Sequence, residues 1–276
     1  MNLRPITGLF LLAAGFMSGS AWAQSDASSA VAPAPVTANL SIVSDYRFRG
    51  LSQSYRLPAV QGGFDYTHPS GFYLGNWDSS VSGNSYNNGA SLEVDLYGGY
   101  RFEPVKDLTL DLGVLTYVYP GATLNAAPGQ PSDHRYDNTE LYAGATYAGF
   151  GAKVSYAATD YFGLNGATGG YAYWSALPDN GGSRGTVYVD LNYSVDLGDK
   201  LTLAAHVGRT EVRHYGELSY TDAKLALTKE WAGFTFGASV VGSDADKRYY
   251  QVGNAAAQSP KEIGATTVVV SVARTF

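Results

Sequence analysis

Glu93, Asp95, Tyr97, Gly99 and Arg101 occupy every second position of one stretch, with Leu92, Val94, Leu96, Gly98, Tyr100 and Phe102 filling the positions on the other face. In an extended strand alternate side chains point to opposite faces, so this segment carries one charged face and one apolar face. The charged phase elsewhere collects Asp45, Arg47, Arg49, Asp65, Asp111, Glu140, Lys153, Asp190, Asp196, His206 and Lys224. Lined up around water, such charges favour one sign of ion over roughly a Debye length, about 8 Å at physiological salt. Acids outnumber bases in the set, so the expected chemistry is a cation-leaning or neutral-solute path. The competing expectation is that acids and bases pair across a narrow bore and close it with an ion-pair network.

Catalysis and metal binding find less support. The chain has 4 His. His68 lies at a short turn, His134 and His214 in or beside long loops, and His206 on the polar phase of a strand. A lipid hydrolase on a barrel needs its nucleophile and base together on the membrane side, and no Gly-x-Ser-x-Gly nucleophile elbow occurs, so no catalytic residues are assigned and no enzyme is expected. Asp133 to Asp137 gathers possible ligands in a loop. Asp244-x-Asp246 begins like a calcium loop but lacks the later Gly and Glu that complete one. Both read as polar loop residues, and neither a metal nor a cofactor is expected. The net charge of -6 argues against a nucleic-acid partner.

The elements that must position these charges are strands. Charged residues make up 15% of the chain, against roughly 25% for a typical soluble domain. Tyr and Gly are abundant, at 22 and 33, and Cys is absent. No stretch after residue 23 approaches the roughly 20 apolar residues of a membrane helix. Residues 1–23 read as a secretory signal, with Arg4, the apolar run Gly8 to Met17, and Ala21-Trp22-Ala23 as the cleavage site. Residues 24–36 read as a flexible Ala, Ser and Pro lead-in.

From residue 37 onward the alternation predicts twelve strands, at about 37–49, 58–68, 71–80, 90–102, 107–119, 138–148, 149–159, 184–196, 200–211, 219–230, 232–243 and 263–276. Their connections alternate in length. Short ones fall at Pro69-Ser70, Glu103 to Lys106, Ala148-Gly149, Leu197 to Asp199 and Trp231, and long ones between. Short turns at one rim and long loops at the other are the pattern of an outer-membrane barrel. Tyr66, Tyr100, Phe102, Tyr147, Phe150, Tyr193, Trp231, Phe234 and Phe276 fall on or near the apolar phase close to the short-turn rim or the chain end, as expected of an interfacial girdle. Val268, Val270 and Val272 alternate down to Phe276, the ending by which barrel-assembly machinery would recognise the last strand; Arg274 interrupts that face.

The fold class that follows is all-β, a transmembrane antiparallel up-and-down β-barrel of twelve strands over 37–276. In hydrocarbon every strand edge must be paired, so 37–49 should pair with 263–276. Outer-membrane lipid and small solutes are the expected partners. The expected role is passive diffusion of ions or small solutes. The alternative is a non-conducting barrel whose external loops, above all 120–137 and 160–183, bind a ligand or partner.

Ser44-Asp45-Tyr46-Arg47-Phe48-Arg49-Gly50-Leu51-Ser52-Gln53, then Val60 to Tyr66 and Ser70 to Trp77, closely resembles the start of the TorF-type porins of Gram-negative bacteria. Leu92 to Tyr100, Tyr117 to Gly121, Glu140-Leu141-Tyr142 and Asp160-Tyr161-Phe162 are also similar to that family. Arg47 departs from its pattern, where an uncharged residue is expected. The resemblance implies an outer-membrane barrel with pore activity and names no substrate.

Overall fold

The computed structural model of the chain describes residues 4–5, 35–83, 90–123, 134–166, 168, 177–252 and 260–276. The signal segment apart from Arg4–Pro5, the lead-in up to residue 34, and parts of four long connections, Asp133 among them, lie outside the described residues. Arg4–Pro5 runs against Asp196 and Val195.

Twelve antiparallel strands follow: β1 (Val36–Val43), β2 (Ala59–Thr67), β3 (Phe72–Ser80), β4 (Leu92–Val105), β5 (Leu108–Val118), β6 (Asn138–Tyr147), β7 (Phe150–Ala157), β8 (Val187–Gly198), β9 (Leu201–Glu211), β10 (Tyr220–Trp231), β11 (Phe234–Ser243) and β12 (Thr267–Thr275). Each pairs with its neighbour in sequence, and β12 returns to β1 with Ser271 opposite Val43 and Thr275 opposite Asn39. Ala38 and Phe276 exchange backbone hydrogen bonds of 3.2 and 2.8 Å just beyond that ladder. The sheet is therefore closed, and no main strand presents an unpaired edge. No described helix is long and apolar enough to cross a membrane.

Three of the short connections are tight hairpins whose central residues take positive φ: Ala148 and Gly149 at 48° and 87°, Asp199 and Lys200 at 51° and 58°, Ala232 and Gly233 at 52° and 80°. Two consecutive positive φ values give the type I′ turn, whose twist matches that of the flanking strands. β10 thus runs through Trp231, and its turn is Ala232-Gly233, one residue later than the alternation suggested.

Outward positions are apolar and open: Leu112 is 52% exposed, Phe150 63% and Trp231 69%. Rings crowd the short-turn end of that surface, with Phe150 4.4 Å from Tyr193, Phe72 4.8 Å from Tyr100, and Trp231 6.1 Å from Phe236. Arg274 does not leave its face bare: the guanidinium lies 5.3 Å from the Phe234 ring centre and 5.1 Å from that of Phe276. Toward the long-loop end the outward phase turns polar. Asn76 donates to Asp78 at 2.8 Å, Thr116 meets Thr139 at 3.0 Å, and Arg209 donates to Glu211 at 2.6 Å. The apolar belt thus lies between an aromatic rim and a polar collar.

The first strand is shorter than the alternation predicts. β1 ends at Val43, where the Ser44 amide donates to the Val270 carbonyl and the Ser44 hydroxyl accepts from the Val270 amide. Residues 44–58 then fold into the barrel around a small hairpin, Arg47–Phe48 against Leu51–Ser52. Its turn residues Arg49 and Gly50 have φ of 47° and 78°, again the I′ geometry. A Cβ at Gly50 would come within 2.7 Å of the Asp222 Cβ and 3.0 Å of the Gly242 carbonyl, so the hairpin tip packs against β10 and β11, and only Gly fits there. Asp45, Arg47 and Arg49 are consequently residues of an inserted loop, not of a strand wall.

Candidate functional site

The interior is built by register. Arg101 on β4 faces Asp111 on β5, which faces Gly144, then Lys153, Asp190, Gly208 and Asp222 on successive strands. One row thus alternates basic and acidic side chains from Arg101 to Asp190 and ends on a second acid, Asp222, with glycines as gaps. Tyr rings on neighbouring rows fill such gaps: a Cβ at Gly208 would collide with Tyr188, and one at Gly113 with Tyr142.

Hydrogen bonds and ion pairs join these groups. Arg101 reaches Asp111 at 3.0 Å, and the Tyr73 hydroxyl donates to the same carboxylate at 2.6 Å while touching the Tyr142 hydroxyl. Tyr97 donates to Asp65 at 2.5 Å. Lys153 sits 5.2 Å above the Tyr142 ring. His206 lies between two carboxylates, its Nδ1 3.2 Å from Asp190 and its Nε2 2.7 Å from Asp222. Both ring nitrogens can donate together only in the imidazolium form. Asp95 is 3% exposed, and its Oδ1 has no hydrogen-bond partner among the described residues.

The inserted loop adds groups from above. Arg49 crosses to β6, its Nη2 2.6 Å from Glu140, with its guanidinium 4.1 Å from the Tyr188 ring centre on β8. Asn138 also donates to Glu140, at 3.3 Å. Arg47 pairs with Asp45 at 2.7 Å and donates to the carbonyls of Ile263 and Ala265 at 2.8 and 3.1 Å. Tyr46 and Tyr119 donate to Glu93 at 2.5 and 2.6 Å. The segment therefore holds contacts with β4, β6, β8 and the approach to β12, which spans the cross-section.

A sequence profile described as "Bacterial protein of unknown function (Gcw_chp)" matches residues 27–276. The chain belongs to the Gcw_chp family. The profile does not bear the TorF label that the first-hairpin motif suggested. A comparison with curated proteins finds no match. Among solved structures, the Gcw_chp chain is similar to the KdgM porin at 7% identity and a TM-score of 0.47, covering 87% of this chain and 98% of that one. It is similar to the NanC porin at 10% identity and 0.45, covering 87% and 98%, and to the COG4313 outer membrane channel from Pseudomonas putida F1 at 14% identity and 0.44, covering 89% and 97%.

In this Gcw_chp barrel Asp65, Glu93, Asp95, Arg101, Asp111, Glu140, Lys153, Asp190, His206 and Lys224 occupy the inward phase of their strands. Asp196 shares their phase but lies at the rim, by the β8–β9 turn, where it accepts from the Gly198 amide at 2.8 Å. Asp222 was overlooked although it shares the phase of Lys224, and so were Tyr73, Tyr117, Tyr142, Tyr188 and Trp77, all on inward positions. In the loops, Asp246 caps a short helix (Lys247–Tyr250), and hydrogen bonds from Arg248 hold its carboxyl below the usual range. That pairing accounts for Asp246, which the sequence placed in a calcium-like start.

Proposed function

We propose that this barrel spans the bacterial outer membrane, after secretion and cleavage near Ala23, and passes ions or small solutes by passive diffusion. The supporting observation is the division of its two faces: an apolar outer belt closed by aromatic rings, around an interior of charged and hydroxyl groups. On this reading the short turns and both termini face the periplasm and the long loops face outward. The inserted loop is the constriction. Carboxylates outnumber basic groups along the interior, which gives the path a lean toward cations. Insertion partners are lipid and the barrel-assembly machinery acting on the strand that ends in Phe276.

Conductance of the refolded protein in a planar bilayer tests the reading. Discrete channel events support it, and a folded barrel that is silent across a broad range of salt and voltage overturns it. The density of the inward ion-pair network favours a second reading, a closed barrel serving its external loops, and silence would select that one.

Two substitutions separate the faces. Leu112→Arg should cost about 2–4 kcal/mol if Leu112 faces the bilayer midplane, read from urea unfolding in vesicles. A cost near zero would place that surface outside lipid. Asp95→Asn should move the reversal potential under a KCl gradient toward the anion value, because Asp95 contributes a buried carboxylate oxygen without a partner among the described residues. Glu93 is a poorer choice, since its loss also frees Tyr46 of the constricting loop.

A further inference from the structure

We propose that the long-loop mouth of the barrel holds a binding pocket for a small, uncharged, ring-bearing molecule. The pocket is partly open and contains about 110 Å³ of space. Phe48 from the inserted hairpin, Tyr161 and Phe162 from the turn after β7, Tyr220 at the start of β10, and Tyr249 and Tyr250 from the short helix before β12 supply rings, joined by Tyr136 ahead of β6. Aliphatic side chains complete the wall, Ser52, Gln53 and the tyrosine hydroxyls are its polar groups, and none of the described residues that line it is charged. The cations that touch its rings carry their own counter-ions: Arg49, 4.7 Å from the Phe48 ring centre and donating to the Tyr161 hydroxyl, pairs with Glu140, and Arg248, 5.5 Å from the Tyr249 ring centre, pairs with Asp246.

Three features define the ligand class. A charged ligand would lose its hydration without gaining a counter-ion, whereas a neutral planar ring loses little and gains aromatic contacts. The rings are already set edge to face, Phe48 with Phe162 at 5.8 Å and Tyr220 with Tyr250 at 5.4 Å, which leaves faces for a further ring. An apolar cavity of about 150 Å³ is known to hold benzene, so the space here suits a single ring, and a fused second ring would extend through the open side. A sugar would need several free polar partners for its hydroxyls, whereas of the tyrosine hydroxyls beside Ser52 and Gln53 that of Tyr250 already donates to the Leu218 carbonyl at 2.7 Å and that of Tyr161 accepts from Arg49 at 3.3 Å.

Phe162 and Gly163, with φ of 48° and 75°, form the same left-handed pair as the hairpin turns, and this turn brings the Phe162 ring into the pocket wall. The site would serve a conducting or a silent barrel alike.

The probe is indole, followed by saturation-transfer NMR on the full barrel in phosphatidylcholine nanodiscs, with empty nanodiscs measuring partition into lipid. Saturable binding beyond that background is expected. Phe162→Gly suits the left-handed backbone, so the turn is kept while the ring is removed, and affinity should fall several-fold. Val252→Trp, which fills the pocket, should abolish binding by another route. Signal no greater than that of empty discs, or equal in the parent and both variants, would overturn the site. Binding of indole-3-acetate or glucose as strong as that of indole would overturn the ligand class.

Discussion

Excision of residues 46–55, with Asp45 joined to Arg56 through two glycines, should raise single-channel conductance several-fold. The segment leaves and re-enters the wall at neighbouring points, since Val43 and Ala59 are register partners on β1 and β2. A short turn can therefore replace it without displacing either strand. What it removes is the interior crossing: the Phe48 ring 5.4 Å from Tyr117 on β5, Arg49 on Glu140 and Tyr188, and Gly50 against β10 and β11. Closure rests on the β1–β2 and β1–β12 ladders, which the excision leaves intact. Glu140 would be stranded, so the excision is best combined with Glu140→Gln. Planar-bilayer recording reads the outcome. Conductance equal to that of the parent would mean that the constriction lies in the strand-borne network, at the row from Arg101 to Asp222, and that the loop does not limit passage.

Why this segment escaped the sequence while the wall did not is a matter of what alternation encodes. A strand with lipid outside and water inside must alternate, and β2 to β11 fall within a few residues of their predicted bounds for that reason. Closure followed from the need to pair every edge, and the ring-bearing rim from the phase and position of residues such as Tyr100, Phe150 and Trp231. Residues 44–49 alternate as well, with Tyr46 and Phe48 against Asp45, Arg47 and Arg49. Period two cannot distinguish a wall strand from a hairpin buried on both faces. The turn signal was present in Arg49-Gly50, but Arg is a rare first residue of a I′ turn beside Asn or Asp. Pairings across the lumen were illegible in principle: Arg49 and Glu140 are 91 positions apart and no spacing rule links them. Asp222 was legible by phase. The inward tyrosines were ambiguous, because a ring with a hydroxyl suits both a headgroup interface and a hydrogen-bonded interior.

The Arg49–Glu140 pair carries the second large effect, on stability. Arg49→Met should destabilise the barrel by about 3–5 kcal/mol, since it leaves a buried carboxylate without its counter-ion. The comparison is internal. Arg209 and Glu211 on β9 form a contact of the same length, 2.6 Å, but with side chains 45% and 60% exposed, against 1% and 3% for Arg49 and Glu140. Water screens the first pair, so Arg209→Met should cost about 0–1 kcal/mol. Distance is matched and burial differs, so the contrast isolates desolvation. Adding Glu140→Leu to Arg49→Met should recover most of the loss, because the penalty belongs to the stranded charge more than to the missing attraction. Arg49→Lys should not rescue: a lysine reaches the carboxylate as a point charge and forfeits the guanidinium stacked 4.1 Å above Tyr188. Urea unfolding in vesicles measures all four variants. If Arg49→Met proves as mild as Arg209→Met, the inserted loop is held by Arg47 and Tyr46 instead, through the Ile263 carbonyl and Glu93, and the latch lies nearer β12 and β4 than β6.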